Sequence, residues 1–326
     1  MRLGVLGTMV WDRIHARDGR AAPVEEWGGI AYALAAAVAA PPPGTTIVPV
    51  IRLGADLAER AFTFLRTLPG LDLESGIRVV AEPNNRVELR YHERERRCER
   101  LAGGVGPWPW PELAPIIEGL DALYINFISG FELELPTALS LRAHFRGPIY
   151  TDLHSLLLGV TPGGMRIPRP LEAWREWLRC FDAVQVNEDE LTLLASAWGD
   201  PWLFAAEAVG SGPRLLLVTL GERGAAYVAA PDLDEDPRSW QRAPVLLPGS
   251  GAAGAVRTQR IGPDLRPREG DPTGCGDVWG ASFFCALLAR SDLDTAMRRA
   301  NAAAARNVEH RGASGLHHYL QGRLGT

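Results

Sequence analysis

The chain of 326 residues contains no lysine, and all 34 of its basic residues are arginine. The absence excludes every chemistry that needs an ammonium group: a Walker-type P-loop, a lysine Schiff base and a protein-kinase-type catalytic lysine. Phosphate chemistry here must rest on backbone N–H groups, arginine and metal, although a GC-rich genome is enough to explain the bias itself. Cysteine is scarce too, with Cys98, Cys180, Cys275 and Cys285 showing no C-x-x-C spacing and no histidine pairs at metal-ligand intervals. That pattern argues against a zinc site and a disulfide framework. No apolar run reaches the length of a transmembrane helix, and the start Met1-Arg2-Leu3-Gly4 lacks a signal-peptide core, so a cytoplasmic protein is expected. A net charge of -5 gives no basic field for nucleic acid or anionic membrane. At 46 % hydrophobic residues the chain can build one large α/β domain over 1–326.

What is present is concentrated in Asp271-Pro272-Thr273-Gly274-Cys275-Gly276-Asp277, which runs directly into the apolar stretch Val278 to Leu288. Alternate glycines before a helix aim several N–H groups and the helix N-terminus at one point, with the Asp277 carboxylate beside it. Such a loop can stabilise phosphoryl oxygens at Gly274, Cys275 and Gly276 while Asp277 takes a hydroxyl proton. It can equally be an ordinary turn with Asp277 as the helix N-cap. Cys275 is either a small residue whose backbone matters or a thiol activated by the helix terminus.

The segment resembles the D-x-T-G-A-G-D signature of the ribokinase-like (PfkB) carbohydrate kinases, with Cys275 in place of the usual alanine. The resemblance implies a three-layer α/β/α fold with a mainly parallel central sheet and a small β-lid. It also implies transfer of the γ-phosphate of ATP, with Mg2+, to a hydroxyl of a small sugar, polyol or nucleoside. The resemblance leaves open whether a monovalent cation is needed near the anion hole. The other reading is a catalytically silent relative that binds a sugar or nucleotide and regulates a partner.

Further segments follow in family order. Arg2 to Val10 reads as a buried first strand with Asp12 just past its carboxyl end, either a carboxylate for acceptor hydroxyls or a turn-former. Gly28-Gly29 opens an alanine-rich helix from Ile30 to Ala40, stopped by Pro41-Pro42-Pro43, and similar glycines in the family face the sugar. The family's sugar-contacting asparagine is replaced by Ala33. Asp56 reads as a helix cap. Arg86 to Tyr91 alternates polar and apolar residues and pairs with Arg97 to Leu101, giving with 13–27 a lid over 13–27 and 84–103. The resemblance makes that lid a water excluder and a surface where two copies can pair.

Apolar runs at Ala122 to Ile128, Pro148 to Asp152, Ala183 to Val186 and Leu215 to Leu220 alternate with helical patterns in a βαβ rhythm. Asn126, Asp152 and His154 fall in or just after such strands. Asn187-Glu188-Asp189-Glu190 resembles the family's N-x-x-E motif, in which Asn187 and Glu190 order magnesium through water, and it also fits a capping box. Thr219 to Gly224 matches T-x-G-x-x-G, placing Thr219, Gly221 and Gly224 with Thr273 around the nucleotide. Asn301, in an alanine-rich helix from Met297 to Val308, either lies near the adenine or faces water. Pro231 to Gly270 reads as irregular and poor in strand, and His317-His318 as a solvated tail.

Overall fold

In the first strand, β1 (Arg2–Leu6), every residue from Leu3 onward is buried, as a strand covered on both faces must be. The computed structural model describes residues 1–15, 22–91, 97–240, 255–263 and 270–323. The chain leaves the main sheet at Gly7-Thr8, so Arg2 to Val10 is two strands rather than one. The second, β2 (Met9–His15), pairs antiparallel with β3 (Val24–Gly29), which runs into α1 (Ile30–Ala39). Next come β4 (Thr46–Gly54), α2 (Ala58–Leu65), β5 (Ile77–Val80), and the strands β6 (Arg86–Tyr91) and β7 (Arg97–Ala102). After α3 (Trp110–Ile117) follow β8 (Ala122–Asn126), α4 (Leu135–His144), β9 (Ile149–Asp152) and a small hairpin, β10 (Leu158–Val160) with β11 (Arg166–Pro168). The later half holds α5 (Trp174–Arg179), β12 (Ala183–Asn187), α6 (Glu188–Leu194), α7 (Pro201–Ser211), β13 (Leu215–Thr219), β14 (Ala225–Ala229) and β15 (Arg257–Ile261). The chain then closes with α8 (Cys275–Leu288), α9 (Leu293–Glu309) and α10 (Leu316–Leu320).

Among the described residues the main sheet has the order β15-β14-β13-β12-β9-β8-β1-β4-β5. It is parallel from β13 to β5 and antiparallel only at the β14 and β15 edge. The strand order turns back at β1, between β8 and β4, and ligands collect at the carboxyl ends of strands flanking such a reversal. One core packs α1, α8 and α9 on one face, with Tyr32, Val278, Phe283 and Phe284 fully buried. The other face is covered by α3, α4, α5 and α7 around Phe127, Phe181 and Phe204. This is the three-layer α/β/α arrangement expected from the sequence.

A separate four-stranded sheet, β3-β2-β6-β7, stands off the main body with its own apolar face of Val10, Ile14, Val87, Leu89 and Leu101 against Ile128. It contains the described parts of the expected lid; 16–21 and 92–96 lie outside the described residues. Asp12 therefore sits inside a lid strand, and not in a turn after the first strand. Asp56 does not cap α2, whose N-cap is Leu57. Its carboxylate instead accepts the Asn84 N–H at 2.7 Å and pairs with Arg86 at 2.6 Å, pinning the base of the lid.

Two other expectations need correction. In the stretch 231–270, of which 241–254 and 264–269 lie outside the described residues, the described part contains β15, paired along its length with β14. Its pattern is exposed at Thr258, Gln259 and Arg260, so this edge strand lacks the apolar alternation that would mark it in the sequence. His317 is not in a solvated tail: it is 2 % exposed in α10, which packs on α1, and burial first and then His318 lower its pKa.

Candidate active site at the carboxyl ends of the strands

The loop before α8 is held from two sides. Asp271 Oδ1 accepts the N–H and hydroxyl of Thr273 at 2.9 and 2.6 Å, closing a local turn. From α9, Asn307 Nδ2 donates to the Thr273 carbonyl at 2.8 Å, and the Asp271 N–H donates to the Val308 carbonyl at 2.9 Å. Gly274 then turns the chain into the helix with φ 77°, and a Cβ there would meet the Tyr32 ring at 2.4 Å. Both the left-handed backbone and the close approach of α1 demand glycine.

Of the three N–H groups expected to form an anion hole, that of Cys275 donates to the Pro272 carbonyl at 3.1 Å. Those of Gly274 and Gly276 have no protein acceptor among the described residues, and Gly276 is exposed. They lie at the positive end of a fourteen-residue helix. The Cys275 thiol points away from solvent, 3.5 Å from the Ala304 carbonyl and 3.4 Å from Asn307 Nδ2. Burial pushes its pKa up to about 11, with Asp271 and Asp277 adding to the effect against the Asn307 hydrogen bond. Its placement and raised pKa both favour the reading of Cys275 as a small residue over that of an activated thiol at the helix terminus.

Asp277 is half-buried in the first turn of α8, with Oδ1 accepting from Asn126 Nδ2 at 2.7 Å. Beneath it, three polar residues interrupt otherwise apolar strands. Tyr150 donates its hydroxyl to Gln185 Oε1 at 2.6 Å, which fixes the amide so that Nε2 reaches both Asp152 Oδ2 at 2.9 Å and the Gly276 carbonyl at 3.1 Å. Burial, then the charge of Glu190, pushes Asp152 well above the usual carboxylate range, with Asp277 adding to it and His154 opposing. In the sequence Asn126 stands out only as lying within a strand and Asp152 as following one, and neither Gln185 nor Tyr32 stands out. Polar letters inside strands buried on both faces, as in Ala-Leu-Tyr-Ile-Asn and Ala-Val-Gln-Val-Asn, are the signal that finds Asn126 and Gln185, whereas Tyr32 lies in helix α1 and carries no such mark.

Register places the remaining strand-end residues in a row. Asn126 lies opposite Asp152, and Asn187 opposite Thr219. At about 4.8 Å per strand, β8 to β13 spans roughly 14 Å, enough for an extended triphosphate. Asn187 and Glu190 form a complete capping box: Asn187 Oδ1 accepts the Glu190 N–H and Glu190 Oε2 accepts the Asn187 N–H, both at 2.8 Å. Glu190 Oε1 also lies 3.2 Å from His154 Nδ1. Burial works against charge on His154, but the hydrogen bond and charge of Glu190, with Asp152 and Glu99, raise its pKa to about 9.

Among the described residues no group of three or more acidic, histidine or cysteine side chains could hold a metal ion directly. Glu190, half-buried at the start of α6, nevertheless offers oxygen donors that fit a hard cation reached through water, which asks for one or two such donors rather than a cage.

Thr219 ends β13 and is followed by a tight turn in which Gly221 and Gly224 have φ 57° and 85°. Asn301 is brought next to this turn and does not face solvent. It is 8 % exposed, accepts from Trp279 Nε1 at 2.8 Å and donates to the carbonyls of Ile261 and Gly262 at 3.3 and 3.2 Å. Its amide ties α8, α9 and β15 together behind the turn.

On the lid side, Gly28 lies against Asp12: a Cβ there would stand 1.7 Å from Asp12 Oδ2. Asp12 itself is buried, and its register partner on β3 is Glu26. Burial, then Asp271, raises the Glu26 pKa, with Arg311 opposing. Burial pushes Tyr32 well above its usual value, and the charges of Glu26, Asp12, Asp271 and Asp277 reinforce it, so lid, loop and α8 meet over one tyrosine.

No protein-family model matches the sequence, and no curated protein matches it. Solved structures do. A pyrophosphate-dependent kinase in the ribokinase family, complexed with a pyrophosphate analog and myo-inositol, is similar with TM-score 0.72 and 18 % identity over 99 % of this chain and 100 % of that one. Ribokinase from Arabidopsis thaliana, complexed with ribose and ATP, has TM-score 0.67 and 18 % identity over 99 % and 98 % of the two chains. A nucleoside kinase from Burkholderia thailandensis in complex with inosine has TM-score 0.66 and 16 % identity over 99 % and 96 %. With its mainly parallel three-layer body, its four-stranded lid sheet and these neighbours over nearly its whole length, the chain has the ribokinase-like fold.

Proposed function

We propose that the chain is a kinase, transferring the γ-phosphoryl group of ATP to a hydroxyl of a small sugar, polyol or nucleoside. The observation that carries this reading is the half-buried Asp277 carboxylate in the first turn of α8, next to N–H groups of Gly274 and Gly276 that have no protein acceptor among the described residues. In the proposed step the acceptor oxygen attacks the γ-phosphorus as the bond from that phosphorus to the bridging oxygen breaks. The acceptor proton passes to Asp277 and the bond's electron pair leaves with ADP. A positioned base contributes typically about 10²–10⁴-fold, and a preorganised N–H donor about 10²–10³-fold. Cys275 supports the hole by turning the loop through its N–H bond to Pro272, and not by donating to the phosphoryl group.

Asp12 with Gly28 and Gly29 would face the acceptor, and Thr219, Gly221, Gly224 and Thr273 the nucleotide, with Asn301 shaping the wall behind. Glu190 and Asn187 would order the water around Mg2+, which would neutralise charge on the phosphates when bound. A monovalent cation near the hole belongs to the same reading. The whole of 1–326 would act as one kinase unit in the cytoplasm. Among the described residues no helix is long and apolar enough to cross a membrane. Two copies pairing through the lid would use the β3 edge, since β7 is met by Gly163 and Gly164: the Leu101 N–H donates to the Gly164 carbonyl at 2.8 Å.

The test is product release from ATP and, in parallel, from pyrophosphate, across pentoses, hexoses, polyols and nucleosides. Acceptor-dependent release supports a kinase and names its substrates. Ligand binding without release from either donor would favour a silent binding protein.

A further inference from the structure

Asn126 is fully buried at the end of β8. Its Nδ2 donates to Asp277 Oδ1 at 2.7 Å and lies 3.4 Å from the Tyr124 hydroxyl. Its Oδ1 is buried as well, and has no donor among the described residues. A buried amide with one end unmet is a destabilising choice for a strand, and an apolar residue would remove the penalty. The amide's return is its bond to the carboxylate.

We propose that Asn126 is a positioning residue that fixes the rotamer and plane of the Asp277 carboxylate at the start of α8. The inference rests on the proposed base role of Asp277. A carboxylate on a first helical turn has several staggered positions, and a donor on one oxygen selects among them. Around it stand Tyr32 of α1, Tyr124 of β8, Asp152 of β9 and Cys275 on its own helix, each electrostatically linked to Asp277. Crowding by another acid favours the protonated form, whereas a neutral donor such as Asn126 favours the ionised one that a base requires. The interruption of an apolar strand by this asparagine is thus assigned to catalysis rather than to folding.

The test uses Asn126→Leu and Asn126→Ala, with Asp277→Asn in the same assay. The readouts are kcat and KM against pH, the thermal midpoint, and the titration of the Asp277 carboxyl carbon by NMR, which needs no turnover. The expected result is a fall in kcat of about ten- to a hundredfold with little change in KM. The acid limb of kcat and the carboxyl titration should both move up by about one unit, with the midpoint unchanged or raised. Asn126 variants with wild-type kcat and an unmoved carboxyl titration overturn the inference, as does a kcat loss that only follows the unfolded fraction. If Asp277→Asn itself turns over normally, the base reading fails and this inference fails with it. If Asp277→Asn is inactive while the Asn126 variants match the wild type, only this inference fails.

Discussion

Arg166 of the β10–β11 hairpin reaches Glu99 of lid strand β7 at 3.1 Å, and both side chains are largely buried, at 4 % and 11 % exposure. The same guanidinium donates to the Ser155 hydroxyl at 2.9 Å and the Ile128 carbonyl at 2.6 Å. One cation thus ties the lid to the body beside the candidate site. Removing one partner of a buried pair leaves the other charge poorly solvated, which costs about 3–5 kcal/mol, while removing both costs far less. Arg166→Leu should therefore lower the urea midpoint strongly, and the Glu99→Gln/Arg166→Leu double variant should recover much of the loss. Equal midpoints for wild type and Arg166→Leu would mean that the pair does not hold the lid.

Gly28→Ala places a methyl group where the Asp12 carboxylate now sits. The carboxylate must move by an ångström or more, and displacement on that scale near reacting groups costs on the order of a hundredfold in rate. The expected outcome is that kcat/KM for the acceptor falls by about that factor while donor affinity is kept. Loss of donor affinity instead would place Gly28 outside the acceptor site.

Cys275 should be slow toward iodoacetamide. With its thiol held up at about 11, little thiolate exists at pH 8. Cys98 is exposed, and should be alkylated faster. Mass spectrometry of partially labelled protein checks the order; preferential labelling of Cys275 would contradict the buried placement of its sulfur.

Burial works against the charge on Asp72, but the Ser75 hydroxyl, the Arg2 guanidinium and the N–H groups of Ser75 and Glu74 hold its pKa down at about 2, against an unfolded value of 3.8. A carboxylate lowered in the folded state contributes stability above its unfolded pKa and loses it as pH falls through the folded one. The wild type should therefore lose stability between pH 4 and 2 more steeply than Asp72→Asn, which lacks the titration. Parallel stability curves for the two proteins across that window would show that the network is not formed.

Much of the fold is legible because its strands are apolar runs or clean alternations: Arg86 to Tyr91 is a strand over the residues its pattern marks, and Cys275 to Leu288 is the helix its apolar run announces. The strand β15 is not legible, since Thr258, Gln259 and Arg260 carry no buried face. The loop 271–277 is visible as a motif, yet the diversion of the Cys275 N–H to Pro272 depends on how the turn closes. Asn301 shows the same limit. Its letter fits an adenine contact or a wet surface, and only the packing of Trp279 and Ile261 around it reveals an interior tie. Gln185 looks like a stray polar residue until Tyr150, Asp152 and Gly276 converge on it.

The central claim is that Asp277 is the base of a phosphoryl transfer. The most direct measurement is single-turnover transfer from radiolabelled ATP to the preferred acceptor by wild type and Asp277→Asn, with ATP affinity measured on both proteins by calorimetry. The account predicts a transfer rate lower by about 10²–10⁴-fold in the variant with nearly unchanged ATP affinity. Transfer at the wild-type rate by Asp277→Asn would contradict it.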